Sequence, residues 1–402
     1  MKVGILYLHP VEESPGSFVR VRELSEGLVR RGVEVVVVTP YGGWFGRGVR
    51  VKEIGEFLRG RLGDFCYGVS RRVYYSRYLP ALLFNERVQR VLMRGIIKGL
   101  RRVCLEEDFD VLQVEQDFGL LPGVVVSGEL GLPVVADIHN ITAEELVALG
   151  LIDRRSAVYG RIQSFVGNLI RRMDHVVVVS ELMGEYVRRV YGVSGGRVTV
   201  VPPGGRLRVS GVGREYKPPY RVIFAGSVTY RERVDLFVES LRYVAREVGG
   251  GFCAYITNKG DMLLQIRRLA RRLGVPVRFF WIEGASRFYR FLSGCHVGVL
   301  PSSDDLARRM GTPVKLFDYM SVGLPVVAND VGGWSRIIRE EGVGVLTGES
   351  PEEFAEGILR LLLDGEFAVG CGRRGLEVVS GKYSWDASAG ILMRVYERLT
   401  GG

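Results

Sequence analysis

The chain has 402 residues, too many for one ordinary domain, and at roughly 100–200 residues per domain it should hold two or three. Hydrophobic residues make up 47% and charged residues 25%, the balance of a soluble globular protein, and the absence of any run of about 18 apolar residues excludes a transmembrane helix. Of the net charge of +10, residues 59–102 alone contribute +9, with ten Arg and Lys98 against Asp64 and Glu86, so the rest of the chain is nearly neutral.

Residues 3–8 are apolar and read as a first strand, with no small-residue cleavage site to make them a signal peptide. Ser14-Pro15-Gly16-Ser17 closes that strand and opens a helix, and small residues at Gly16 and Ser17 let backbone N–H groups approach a diphosphate or an acceptor. This turn is not a GxGxxG, and no acidic ribose binder follows about 20 residues on, which disfavours a dinucleotide fold. Residues 34–39 form the second strand. In the basic stretch, Arg71-Arg72-Val73-Tyr74-Tyr75-Ser76-Arg77 mixes arginine with tyrosine, which suits a helix on an anionic membrane surface and equally suits a solvated basic helix pair. Nucleic acid is disfavoured, because no recognition fold accompanies the charge.

Asp108-Phe109-Asp110 is formally an Asp-x-Asp metal motif but reads as the lead-in to a strand over 111–114, and no metal is expected. The strand over 134–138 runs directly into His139, one of only four histidines. Ligands of open α/β sheets bind beyond the carboxyl ends of strands, which makes His139 a candidate. Thr142, with Glu145 three residues on, has the capping-box pattern. His9, at the end of the first strand, is a further candidate, whereas His175 and His296 read as structural. Strands over 176–179 and 198–201 complete a first series. Cys66, Cys104, Cys253, Cys295 and Cys371 are far apart and form no CxxC pair, so neither a disulfide framework nor a zinc site is supported and a reducing cytoplasm fits.

Residues 201–219 hold four prolines and several glycines and are the expected linker. A second series of strands follows over 221–225, 253–257, 277–280, 297–300, 325–328 and 344–346. Near-continuous apolar strands separated by helices imply parallel sheets, so two series imply two doubly wound domains. Thr312-Pro313 reads as a helix start, a hydroxyl cap followed by proline at the first helical position. Lys315 lies in that first turn, where backbone N–H groups of Val314–Leu316 favour phosphate, and Asp318 lies three residues on along the same face. A cation for phosphate beside a carboxylate for sugar hydroxyls suits a nucleotide-sugar; the same spacing also fits a plain solvated ion pair. Trp281, after the strand over 277–280, is a candidate to stack on a base. The last stretch, from Ser384 as N-cap to residue 399, reads as a helix.

Five segments in order carry a resemblance. They are Pro15-Gly16-Ser17-Phe18-Val19-Arg20 with the following second strand, Phe224-Ala225-Gly226-Ser227 to Val234-Asp235, Gly298-Val299-Leu300-Pro301-Ser302, Lys315-Leu316-Phe317-Asp318-Tyr319-Met320 with Gly323-Leu324-Pro325-Val326-Val327, and Asn329-Asp330-Val331-Gly332-Gly333 with Gly342-Val343-Gly344-Val345-Leu346. Together they resemble the retaining GT-B glycosyltransferases of the GT4 type. The resemblance implies two Rossmann-like domains facing across a cleft, residues 1–205 taking the acceptor and 206–383 the donor, with the helix over 384–400 crossing back to the first. It implies transfer of a sugar from a nucleotide-sugar to a hydroxyl acceptor, glycan or lipid-linked, without a cofactor; a lipid-linked acceptor would suit the alternative in which the charge of residues 59–102 holds a cytoplasmic protein on the inner face of the cell membrane. A nucleotide-sugar-binding scaffold without turnover and a sugar-nucleotide epimerase remain the alternatives.

By the same resemblance His139 touches the donor sugar, Gly226, Ser227, Lys315 and the Val314–Leu316 amides hold phosphate, and Asp318 holds the ribose. Two positions depart from the family. Met310 stands where a first glutamate is common. The basic pair after the Gly226-Ser227 turn is blurred, with Ser227 at its first position and Arg231 and Arg233 competing for the second; Arg231 is favoured because Glu232 is expected to pair with Arg233.

Overall fold

The computed structural model describes residues 1–9, 15–58, 84–207 and 214–401, so Ser14, Arg71, Arg72 and Arg77 lie outside the described residues. The chain divides into two compact units, Met1–Pro202 with Ser388–Gly402, and Pro203–Ala387.

The first unit is built on a wholly parallel sheet of β1 (Lys2–Leu6), β2 (Glu34–Thr39), β3 (Arg50–Glu53), β4 (Val111–Glu115), β5 (Val134–Ile138), β6 (His175–Val178) and β7 (Val198–Val200). Their order across the sheet is β3-β2-β1-β4-β5-β6-β7. The second unit repeats the plan with β8 (Tyr220–Phe224), β9 (Phe252–Thr257), β10 (Val277–Phe280), β11 (Val297–Leu300), β12 (Val326–Asn329) and β13 (Gly344–Thr347), ordered β10-β9-β8-β11-β12-β13. Each expected strand is present within two residues of its bounds. β3 escaped the sequence reading because Arg50-Val51-Lys52-Glu53 is an edge strand paired on one side only and carries charge where inner strands carry valine.

Burial on both faces explains the rest. Val35, Val36, Val37 and Val38 are all fully buried, which parallel strands covered by helices on both sides require. The covering helices are amphipathic: Arg94–Glu107 buries Ile96, Ile97, Leu100, Val103 and Cys104 along one stripe. Several starts carry the side-chain caps that backbone N–H groups need, including Asn85, Ser156, Ser180 and Ser350. The last helix, Trp385–Thr400, begins as expected, with Ser384 Oγ accepting from the Ala387 N–H at 3.0 Å. Leu392, Val395 and Tyr396 are buried with the first unit, to which residues from Ser388 belong.

In both sheets the strand order reverses at one place, between β1 and β4 and between β8 and β11. Connections leaving such neighbours go to opposite sides and open a crevice beyond their carboxyl ends. Several candidate residues follow strands at or next to these two places: His9 after β1, His139 after β5 and Gly226 after β8.

Candidate functional sites in the two units

In the first unit, β4 ends at Glu115 and β5 places Asp137 beside it in register. Asp137 is fully buried and takes Arg20 in a fork, with Nε at 2.9 Å from Oδ2 and Nη2 at 2.9 Å from Oδ1. The remaining arginine donor meets the Val201 carbonyl at 2.9 Å. Gln113 donates to Glu115 Oε1 at 2.8 Å and receives the Tyr396 hydroxyl on its own oxygen. Beyond this floor His139 is 15% exposed, with Nδ1 3.7 Å from Glu115 Oε2. Burial, then Arg20 and His9, hold the His139 imidazole well below its usual pKa, so it is neutral at pH 7. Burial and the charge of Asp137 push the Glu115 carboxyl well above its own.

Gly16 and Ser17 lie in the first turn of Pro15–Val29, where N–H groups have no intrahelical acceptor. Ser17 Oγ donates to the Tyr7 hydroxyl at 3.3 Å, and the Tyr7 ring lies 5.8 Å from that of His9. The predicted capping box at Thr142 does not form. Ile141 is the cap residue, without a side-chain bond, because Glu145 instead accepts from Asn140 Nδ2 at 2.8 Å. The Asp-x-Asp residues have structural partners: Asp110 accepts from the Lys2 N–H at 2.6 Å, and Asp108 ends a helix at φ 50°. Among the described residues no three His, Cys, Asp or Glu gather as a metal site requires. His175 bonds Thr199, and His296 bonds the Arg221 N–H and the Glu215 carbonyl, which are structural roles.

In the second unit, Gly226 follows β8 and donates its N–H to Thr257 Oγ1 at 2.9 Å. A Cβ on Gly226 would sit 2.6 Å from Lys315 Nζ, so glycine is what lets the lysine amine reach this turn. Lys315 Nζ also lies 4.5 Å from the Phe224 ring centroid and pairs with Glu232. Two sequence expectations change here, and one alternative falls. Glu232 does not pair with Arg233 but binds Lys315 and, at 3.1 Å, Arg308; Arg233 turns to Asp235 at 3.1 Å with its backbone at φ 41°. Thr312 is not the cap, because Pro313 at ψ 125° is still extended and the helix runs only over Val314–Met320; its Leu316 N–H is already given to the Pro313 carbonyl at 3.1 Å. Lys315 and Asp318 form no ion pair with each other, since Asp318 accepts from the Tyr289 hydroxyl at 2.6 Å.

Arg231 reaches Asp305 at 3.5 Å, and its carbonyl accepts from the Ser303 N–H. Ser227 adjoins Gly226 on the same turn. Met310 is fully buried, and Trp281 is exposed beside Lys259, 5.8 Å from its ring centroid. Gly226, Lys315 and the Arg231–Arg233 turn thus come together in one unit, and Ser17 and His139 flank one network in the other. Arg308, Glu232, Tyr289 and Glu115 were missed. Only Arg308 had a local signal, Asp305 capping the short helix Leu306–Met310 three residues before it.

Of the basic stretch, residues 84–102 are described, and their charge is partly covered. Arg90 pairs with Glu86 at 2.8 Å, Arg101 with Glu129 at 2.6 Å, and Arg102 with Glu106 at 2.6 Å. Among the described residues no helix is long and apolar enough to cross a membrane.

Residues 16–206 match the family model described as Glycosyltransferase Family 4, and residues 219–364 match that described as Glycosyl transferases group 1. The chain is 23% identical to an uncharacterized glycosyltransferase of Methanocaldococcus jannaschii, over 99% of this chain and 98% of the relative. It is also 23% identical to a D-inositol 3-phosphate glycosyltransferase of Xylanimonas cellulosilytica, over 99% and 97%. The crystal structure of Anabaena HepE in complex with UDP and glucose covers all of both chains with a TM-score of 0.70 at 15% identity, a likeness of fold.

Proposed function

We infer from these matches, which place the chain in the GT4-type glycosyltransferases of GT-B fold, how its own residues serve nucleotide-sugar glycosyl transfer. The observation that carries the reading is the Lys315 amine against Gly226 at the carboxyl end of β8, where the strand order reverses. In the proposed mechanism Lys315, Arg231 and the start of the Val314–Met320 helix face the diphosphate of the donor. Charge grows on that leaving group as the glycosidic bond breaks, and cations fixed beforehand stabilise the transition state more than the ground state.

Asp318, oriented by Tyr289, takes the ribose hydroxyls. Ser227 and Gly226 line the phosphate turn. His139, neutral and edge-exposed, bonds the donor sugar, and the first turn at Gly16 and Ser17 lies on the acceptor or phosphate path. Retention of configuration is part of the proposal and rests on resemblance alone. UDP in the Anabaena protein makes a UDP-sugar the first donor to try.

Nucleotide release measured with UDP-, GDP- and ADP-sugars and a hydroxyl acceptor tests the reading. Release that depends on acceptor supports it; interconversion of the donor without acceptor would indicate epimerisation instead. For residues 59–102 we propose contact with an anionic membrane surface, where a lipid-linked acceptor resides. Replacing Arg71, Arg72 and Arg77 with Gln should weaken binding to anionic liposomes by about 1 kcal/mol per charge, and wild-type protein that ignores such liposomes at low salt would end that idea.

A further inference from the structure

Glu232 is out of place in a site meant for phosphate. It lies on a single turn, Tyr230–Glu232, and its side chain is only 14% exposed. Oε2 takes the Lys315 amine and Oε1 takes Arg308 Nη2 at 3.1 Å. Burial works against the carboxylate's charge, yet Arg308 and Lys315 together hold the carboxyl below the usual range.

Arg308 is aimed by its own supports. Its Nε donates to Ser302 Oγ at 3.0 Å, and its N–H donates to Asp305 Oδ1 at 2.9 Å. Ser302 in turn is fixed just beyond β11 by two bonds of 2.8 Å with the Asn329 side chain. Two cations from separate segments therefore converge on one anion at the carboxyl ends of β8 and β11. Their donors suit a phosphate oxygen as well as a carboxylate oxygen. Left without an anion, two partly buried cations this close would repel each other.

We propose that Lys315 and Arg308 form an anion cradle for the donor diphosphate, and that Glu232 is a resident carboxylate which the diphosphate displaces. The inference rests on the donor-site reading above and adds a second phosphate cation and a competitor to it. Glu232 keeps the cradle assembled while empty, opposes donor binding, and returns to the cations as the nucleoside diphosphate leaves. The other acids nearby do not take this part: Asp305 is bound to Arg231 and caps a helix, and Asp318 is bound to Tyr289.

The test is calorimetric titration of the full chain with UDP, GDP, ADP and inorganic pyrophosphate. Glu232→Gln keeps shape and removes the competing charge, so the nucleoside diphosphate that binds wild type should bind about tenfold tighter, and Arg308→Gln about tenfold weaker. Glu232→Asp, which keeps the charge with a shorter reach, should fall between wild type and Glu232→Gln, and it serves if the glutamine variant fails to fold. Unchanged or weaker binding by folded Glu232→Gln, or unchanged binding by Arg308→Gln, overturns the inference while leaving the donor site intact. If neither wild type nor Glu232→Gln binds any of the three nucleotides, the donor-site reading falls and this inference with it.

Discussion

Glu115 Oε2 lies 3.7 Å from His139 Nδ1, and neither atom has a hydrogen-bond partner of its own. Both are buried, and leaving two such atoms unsatisfied is costly, so a small closure that joins them is favoured. Burial keeps the imidazole neutral and, with Asp137, pushes the Glu115 carboxyl well above its usual pKa; while it holds its proton Glu115 is the donor, which directs the His139 Nε2–H outward.

That arrangement predicts a pH signature. The groups around Glu115 are Asp137, Arg20, Gln113, His139 and, beyond them, Tyr7, His9 and Tyr396. Ionisation of Glu115 as pH rises should turn it from donor to acceptor and lower kcat. Glu115→Gln, which can donate at every pH, should hold kcat within about threefold of wild type near neutrality and remove the alkaline fall. Superimposable alkaline limbs in the two kcat profiles would sink the idea.

The donor-site assignment makes three defects of different kinds. Lys315→Ala should lower kcat by about 10²–10³-fold and weaken donor binding, since its charge acts on the leaving phosphate. Asp318→Asn should chiefly raise donor KM, by about tenfold, with Tyr289→Phe a milder copy. His139→Ala should cut turnover while nucleotide affinity, read by calorimetry, stays near wild type. Three folded variants with wild-type constants would show that the residues are misassigned.

Arg20→Met should destabilise the first unit by about 3–5 kcal/mol in denaturant unfolding, because Asp137 is left as a buried charge without its partner. Adding Asp137→Leu should recover part of the loss, since a well-packed apolar pair can replace a buried ion pair. A double variant less stable than the single one would contradict this.

Acid should weaken the fold in two windows. Burial, then Arg398 and Arg197, lower His175 from 6.5 to about 4, so the unfolded chain takes a proton there that the fold refuses, and stability falls as pH drops from 6.5 toward 4. Arg50, then Lys2, hold Glu107 at about 2 against an ordinary 4.5, with Lys52 adding to them, and this contribution is lost as pH falls from 4.5 toward 2. Melting temperature against pH checks both: His175→Asn should flatten the upper window and Glu107→Gln the lower.

Much of the architecture was legible in the chain because parallel strands buried on both faces must be apolar throughout, as residues 35–38 are. The positions of Gly226 and His139 just past strand ends followed from the same periodicity, and that of Lys315 from a helix start. What could not be read were partnerships between distant segments. Glu232 precedes Arg233 in sequence, yet it is committed to Arg308 and Lys315, which lie 76 and 83 residues further on. Asp318 follows Lys315 by three residues, yet Tyr289 from another helix claims it. Local spacing names neighbours on a helix; it carries no information about which competing charge the fold brings closer.

The helix Trp385–Thr400 sets an order of events in the cell. Tyr396 holds the Gln113 side chain, which in turn holds Glu115 beneath His139, and from Ser388 this helix belongs to the first unit. Those residues leave the ribosome only after the whole of the second unit. A nascent chain therefore never carries a finished His139 network, and the first unit becomes competent only when synthesis has passed beyond the second.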